Sequence, residues 1–289
     1  MKRDRFNISI VRVTVGLLLA FATGYNTPAA DFPQGLMLHF NFEQAETGGV
    51  ITDRSGRNNN GRAFGAKWTA TGKQGGAYEF ALSNNYIQVT NTPSLNATQA
   101  TFAVWFKTSK TNAIERYILD KTADRGYALS IAGESKAKDG KPKGKLCAGV
   151  NGHYCLSDSV VTDGTWHHGA ATFDGENLKL YVDGQLQKQV VAWHGAIAAN
   201  TNDLTIGMNR SSPLPQEQGQ SFGGAIDEVM IFNHALSNAE VNVVIASVKP
   251  KFTKDQVARR LIELKELFDR GLILKDFYDR KVQECEVTP

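Results

Sequence analysis

The chain is 289 residues long, 42% hydrophobic and 21% charged, with 27 Gly and 8 Pro. This composition excludes disorder and collagen-like repeats and leaves enough apolar mass for a sizeable core. The formal net charge of +3 resides in the first 30 residues, where Lys2, Arg3, Arg5 and Arg12 stand against Asp4, and the balanced remainder excludes sequence-independent attraction to nucleic acid or anionic membrane.

The basic start, the apolar run from Val13 to Ala22 and the small residues ending at Pro28-Ala29-Ala30 have the three-part pattern of a secretory signal peptide. Cleavage is expected near Ala29 or Ala30, giving a secreted, periplasmic or cell-surface protein. The apolar run is shorter than the roughly 20 residues a span requires, so no membrane span is expected after signal removal.

From Asp31 to Val248, short β-type runs alternate with turn residues: Thr101 to Phe106, Lys145 to Val150, Leu178 to Val182, Leu204 to Gly207 and Ile226 to Phe232. The pattern is all-β and predicts one large antiparallel sandwich over 31–248. Asp183-Gly184, between Leu178-Lys179-Leu180-Tyr181-Val182 and Gln185-Leu186-Gln187, predicts a hairpin. Cys147 and Cys155 flank Asn151-Gly152, and export would permit a disulfide between them. A three-residue loop would align the two sulfurs, whereas a two-residue turn would place Cys147 opposite Leu156. Cys285 is left over.

Composition changes at Lys249-Pro250. Beyond it Thr253 and Gln256 form a capping box, and Val257, Leu261, Leu264 and Phe268 share one helix face. Gly271 is the expected C-cap. A second stretch places Leu274, Tyr278, Val282 and Cys285 on one face, predicting a helical hairpin over 249–289. Such a hairpin is too small to bury itself, so self-association or protein docking through 251–286 is expected.

Six ordered segments of the β region resemble the laminin-G-like branch of the concanavalin A-like jelly rolls. They are Leu38-His39-Phe40-Asn41-Phe42, Asp53-Arg54-Ser55-Gly56 through Asn60-Gly61, Gly75 through Phe80, Phe102 through Phe106, Trp166-His167-His168 through Asp183-Gly184, and Phe222 through Val229. The resemblance implies two antiparallel sheets in a curved jelly-roll sandwich, often with one calcium ion, serving glycan binding or adhesion. The C-terminal segment is similar to the short C-terminal helical domains abbreviated SHOCT, through Leu261-Ile262-Glu263-Leu264-Lys265 and Gly271-Leu272-Ile273 before Phe277.

The loop from Asp53 to Gly61 concentrates oxygen donors, as a hard cation requires. Asp227 falls in register with Val229 and Ile231, so it is expected to point into the sandwich near its rim. A structural calcium ion is therefore expected on Asp53, Asn58, Asn60 and Asp227; hydrogen bonding of the acids to loop amides is the alternative. Tyr86, beside Asn84 and Asn85, and Trp193 lie in loop-like contexts and are the candidate ligand-binding residues, with surface packing as the plainer role. Lys136, Lys138, Lys141, Lys143 and Lys145 form a basic loop, read as a solvated tip. No catalytic residues are assigned: the chain contains no Glu-x-Asp-x-x-Glu, Gly-x-Ser-x-Gly or His-Glu-x-x-His motif. The expected partner is a glycan or glycosylated surface. The alternative is a glycoside hydrolase or polysaccharide lyase with a dispersed site.

Overall fold

The computed structural model describes residues 32–111, 114–122, 125–133, 143–210, 220–248 and 254–283. The expected signal peptide, Lys136, Lys138, Lys141, the Thr253 cap and Cys285 lie outside them.

Two antiparallel sheets stack into a jelly-roll sandwich. One has nine strands, with the path Gln185–Leu186, Asn177–Val182, Trp166–Phe173, Ala100–Lys107, Gly224–Phe232, Ala77–Phe80, Lys67–Thr69; Leu36–Phe40 pairs with Gly224–Phe232 and Val191–Ala192 with Asn177–Val182. The other has eight: His153–Val160, Lys145–Val150, Gly126–Ile131, Arg116–Thr122, Leu204–Ile206, Tyr86–Val89, Gly61–Phe64, Val50–Ile51. Strand alternation sends Phe40, Phe102, Phe106 and Phe173 from the first sheet, and Ile87, Leu204 and Leu129 from the second, into the shared core.

The Asp183-Gly184 hairpin forms as expected, with φ of 50° and 80° at its two turn residues. Asn151 and Gly152 take φ of 48° and 85°, again a two-residue turn of the kind that suits twisted strands. The register consequently opposes Cys147 to Leu156 and Cys155 to Ala148. The expected Cys147–Cys155 disulfide does not form: residues one pairing step apart project to opposite faces of the sheet, and a bridge needs Cβ atoms within about 4.5 Å.

The register of Gly224–Phe232 shifts between Asp227 and Met230, and Glu228 there takes φ of 50°. This β-bulge inserts one residue and reverses the facing of what precedes it. Val229 and Ile231 enter the core. Asp227 instead opposes Trp105, whose ring packs with the cluster on the outer face, so the expectation that Asp227 points inward is corrected.

Between the sandwich and residue 249 lies a helix that the sequence reading did not separate from the β region, α1 (Asn238–Ser247), opened by a complete Ser237/Glu240 capping box. Its Val241 and Val244 cover Ala103, Ala170, Tyr181, Met230 and Phe232 on the outer face of the nine-stranded sheet. Farther on, α2 (Lys254–Asp269) and α3 (Lys275–Gln283) pack together through Val257, Leu264, Leu261, Ile273, Tyr278 and Val282. Gly271, at φ 69°, ends α2; its N–H donates to Phe268 O and that of Leu272 to Leu267 O, both at 2.9 Å. Leu274 does not join the expected face; it precedes α3, accepts from Tyr278 N, and is 81% exposed.

At the end of the eight-stranded sheet, His153–Val160 is an edge strand. Two of its N–H groups are taken by side chains: Leu156 N donates to Gln189 Oε1 at 2.9 Å and Asp158 N to Gln187 Oε1 at 2.8 Å.

Candidate functional site

Four side chains form a row across the outer face of the eight-stranded sheet. Arg62 is the cross-strand partner of Gln88, Gln88 of Thr205 and Thr205 of Asp120. Their chain neighbours Ile87, Val89, Leu204, Ile206 and Leu119 fill the core, so alternation turns the row outward. At the usual strand spacing the row spans about 14 Å. A cleft of ≈ 420 Å³ opens at the Gln88, Thr205 and Asp120 part of the row, lined by these with Thr201, Asn202, Asp203 and Arg210, within the size range of small-ligand sites.

Hydrogen bonds fix the cleft walls. Asp203 accepts from Asn91 N at 2.9 Å and from Gln88 Nε2, and Arg210 Nη1 donates to Gln88 Oε1 at 3.0 Å. Asp120 Oδ1 accepts from Thr122 Oγ1 at 2.7 Å. Behind the wall Lys121 is fully buried, and its Nζ donates to Asn91 Oδ1, Asn200 Oδ1 and Asn202 O at 2.9, 3.3 and 2.9 Å. Burial pushes this amine down to about 8, against the opposing pull of Asp203 and Asp120. Thr205 and Asp120 form the buried floor, each 2% exposed, with Thr205 Oγ1 donating to Met208 O at 2.7 Å; Gln88, Asn202, Asp203 and Arg210 are the accessible polar groups, fixed before any ligand arrives.

None of the four expected ligand residues lines this cleft; Tyr86 is its neighbour through Arg210. The Tyr86 ring stacks on Phe64 at 4.8 Å, and the Arg210 guanidinium lies 4.6 Å from its centre. Asn85 Oδ1 accepts from Ala81 N at 2.9 Å, and Asn84 takes φ of 32°; both shape the turn before the strand. Trp193 is not part of the cleft, since its ring stacks on Phe173 and His153 at 5.2 and 5.1 Å and packs against the core. Gln88, Asp120, Asp203, Thr205 and Arg210 were missed. The signal available was the polar member of Ile87-Gln88-Val89 and of Leu204-Thr205-Ile206, one polar side chain between two apolar ones.

The residues expected to hold calcium do not fit a cation. Asp53 Oδ1 accepts from His39 N and Ser55 N, and Oδ2 from Ser55 Oγ and Asn59 N, which uses about four lone-pair positions, all a carboxylate has. Asn60 Oδ1 accepts from Asp53 N, and Asn58 is exposed at φ 60°. Asp227 Oδ2 accepts from Lys73 N and Gln74 N, and Oδ1 from Glu228 N. Burial pushes the Asp227 carboxyl up to about 8, with amide bonds from Gln74, Glu228 and Lys73 opposing and Glu228 charge adding. Asp53 thus ties the 53–59 loop to the first strand, while Asp227 ties the 72–76 loop to the last. Among the described residues no three His, Cys, Asp or Glu side chains form a metal-binding group.

Beside Asp227 on the outer face of the nine-stranded sheet, Trp105 and His168 pack edge to face with centroids 5.3 Å apart. His168 is buried and its Nδ1 has no partner among the described residues. Burial pushes its imidazole down to about 4, Asp183 opposing and Lys73 adding. His167, next along the chain, is bonded through its two nitrogens to Asp163 and Asp183.

Residues 81–242 match the laminin-G family model described as the concanavalin A-like lectin/glucanases superfamily. No curated protein matches the chain. Among solved structures it is similar to the binding domain of Paraclostridial Mosquitocidal Protein 1, with a TM-score of 0.57 and 18% identity over 74% of this chain and 52% of that one. It is also similar to Domain 4 of AbnA, a GH43 extracellular arabinanase from Geobacillus stearothermophilus, in complex with arabinotriose: TM-score 0.55, 17% identity, 73% of this chain and 98% of that one. The binding domain of botulinum neurotoxin serotype D gives 0.54 and 19% over 74% and 52%. The chain spans about half the length of the two toxin binding domains and nearly all of the arabinanase domain. At these identities the likeness is one of fold.

Proposed function

Since the chain belongs to the concanavalin A-like lectin/glucanases superfamily, we propose that it is a non-catalytic carbohydrate-binding module whose ligand lies in the cleft over the eight-stranded sheet. The observation that carries this reading is the row Gln88, Thr205, Asp120 with Asn202 at its side. Above the buried Thr205 and Asp120, the amides of Gln88 and Asn202, the Asp203 carboxylate and the Arg210 guanidinium supply both donors and acceptors, as the hydroxyls of a sugar require. A neighbouring domain of the same fold is described in complex with arabinotriose, which supports a saccharide as the ligand class. The signal-peptide pattern of residues 1–30 supports action outside the cytoplasm. No cation enters the reading, because Asp53 and Asp227 spend their oxygens on the protein's own donors.

A glycan array with the mature protein, run beside a reducing-sugar release assay, tests this. Binding without release is expected, and Gln88→Ala with Asp120→Ala should abolish it while Asn84→Ala does not. Sugar release by the wild type, or binding indifferent to both cleft substitutions, would overturn it.

A further inference from the structure

The row that carries the cleft does not stop at Asp120. Asp120 is paired with Ala128, Ala128 with Gly149 and Gly149 with Tyr154, so Gln88, Thr205, Asp120, Ala128, Gly149 and Tyr154 follow one another across six strands. Leu129, Val150 and Cys155, the chain neighbours of the last three, point into the core, which turns Ala128, Gly149 and Tyr154 to the same outer face as the cleft. These three further pairings carry the row about 14 Å past Asp120.

Tyr154 is 48% exposed on the last strand of the sheet. A methyl group built on Gly149 would stand 2.8 and 2.9 Å from the Cε1 and Cδ1 atoms of its ring. The ring therefore leans back over the neighbouring strand toward the cleft, and glycine is what makes room for it. Between Asp120 and this ring the row rises no higher than the methyl of Ala128. Tyr117, on the adjoining row through its pairing with Ser130, flanks the stretch. Asn209 hydrogen-bonds the Tyr117 phenol, and Arg210, the next residue, lines the cleft, so one wall joins the cleft to the tyrosine end of the row.

The two ends offer different chemistry. Gln88, Asn202, Asp203 and Arg210 present donors and acceptors. Tyr154 presents a stiff apolar face that loses little torsional freedom on contact and complements the C–H face of a sugar ring. A single sugar seated in the cleft cannot reach both. Resting on the carbohydrate-binding reading, we infer that the ligand is a linear oligosaccharide lying across the strands, its hydroxyls bonded in the cleft and a unit farther along stacked on Tyr154.

Calorimetry of the full chain with arabino-, cello- and malto-oligosaccharides of two, four and six units tests it. In the series that binds, the hexasaccharide should bind about tenfold more tightly than the disaccharide. Tyr154→Ala should remove that gain and leave the disaccharide affinity unchanged, whereas Tyr154→Phe, which keeps the ring, should retain it. Gly149→Ala, which pushes the ring away without removing it, should weaken the hexasaccharide in the same way. Equal affinity for short and long chains, or a length dependence that survives Tyr154→Ala while Gln88→Ala still abolishes binding, would overturn the stacking and leave the carbohydrate-binding reading intact. A lower melting temperature in Tyr154→Ala with the length dependence unchanged would overturn it too, reducing the ring to a filler over Gly149. No binding of any glycan, on this panel or on the array, would overturn both.

Discussion

Lys121 Nζ lies 2.9 Å from the carbonyl oxygen of Asn202, a residue of the cleft wall, and the same ammonium reaches back to Asn91 and Asn200. One buried cation thereby ties two loops to the strand that carries Asp120. Lys121→Met keeps the apolar stem but leaves three oxygens without their donor. A loss of about 3 kcal/mol is expected, read as a shift in urea midpoint, together with weaker glycan binding from a loosened wall. A midpoint unchanged from wild type would show that the loops are held by other contacts.

His168 makes stability depend on acid. Its pKa falls from 6.5 in the unfolded chain to about 4 in the fold, so between these values the unfolded state binds the extra proton. The neutral imidazole's contribution is complete above pH 6.5 and is lost as pH falls toward 4, a total of about 3 kcal/mol. Denaturation of His168→Phe from pH 7 to 4 should show a shallower decline than wild type. Parallel curves would place the acid sensitivity elsewhere.

For the two aspartates once expected to share a metal, the prediction is structural. Melting temperatures in millimolar calcium and in excess chelator should coincide. Asp53→Ala should cost about 2–4 kcal/mol, because it strands the buried N–H of Asn59 along with the His39 and Ser55 donors. A chelator-dependent fall in melting temperature would restore the cation.

A non-reduced digest should contain no Cys147–Cys155 crosslink. Burial pushes the Cys155 thiol up to about 12, so alkylation in native buffer should be slow and in denaturant fast. Rapid native alkylation of Cys155, or a crosslinked peptide, would contradict the register.

The C-terminal helices expose Ile262 by 60%, Leu272 by 59% and Leu274 by 81%. These apolar groups motivate self-association through this hairpin. Ile262→Lys with Leu274→Lys should lower the light-scattering mass at unchanged helix content; the same mass in both proteins would remove the hairpin from any interface.

Much of the fold was legible because alternation and turn chemistry are local. Asp183-Gly184 and Asn151-Gly152 announced their hairpins through residues that tolerate positive φ. Glu228 did not announce its bulge, since no residue there is a usual left-handed one, and the facing of Asp227 was misread by that single insertion. The Ser237/Glu240 capping box was visible but sat inside a β-rich context, so α1 went unread. The cleft is harder still. Gln88, Thr205 and Asp120 are far apart in the chain and become neighbours only through pairing across three strands; nothing in any one strand marks the row.

Gln187 and Gln189 reach the edge strand His153–Val160 with side-chain amides where a further strand would bring its backbone. They occupy the donors at Leu156 and Asp158 that an incoming chain would need. The eight-stranded sheet is in this sense terminated at that border, and growth by strand addition would first have to displace both glutamines. Crowding many copies on a surface would then bring sandwiches side by side without templating a shared sheet, which leaves the outer face of each eight-stranded sheet independently available.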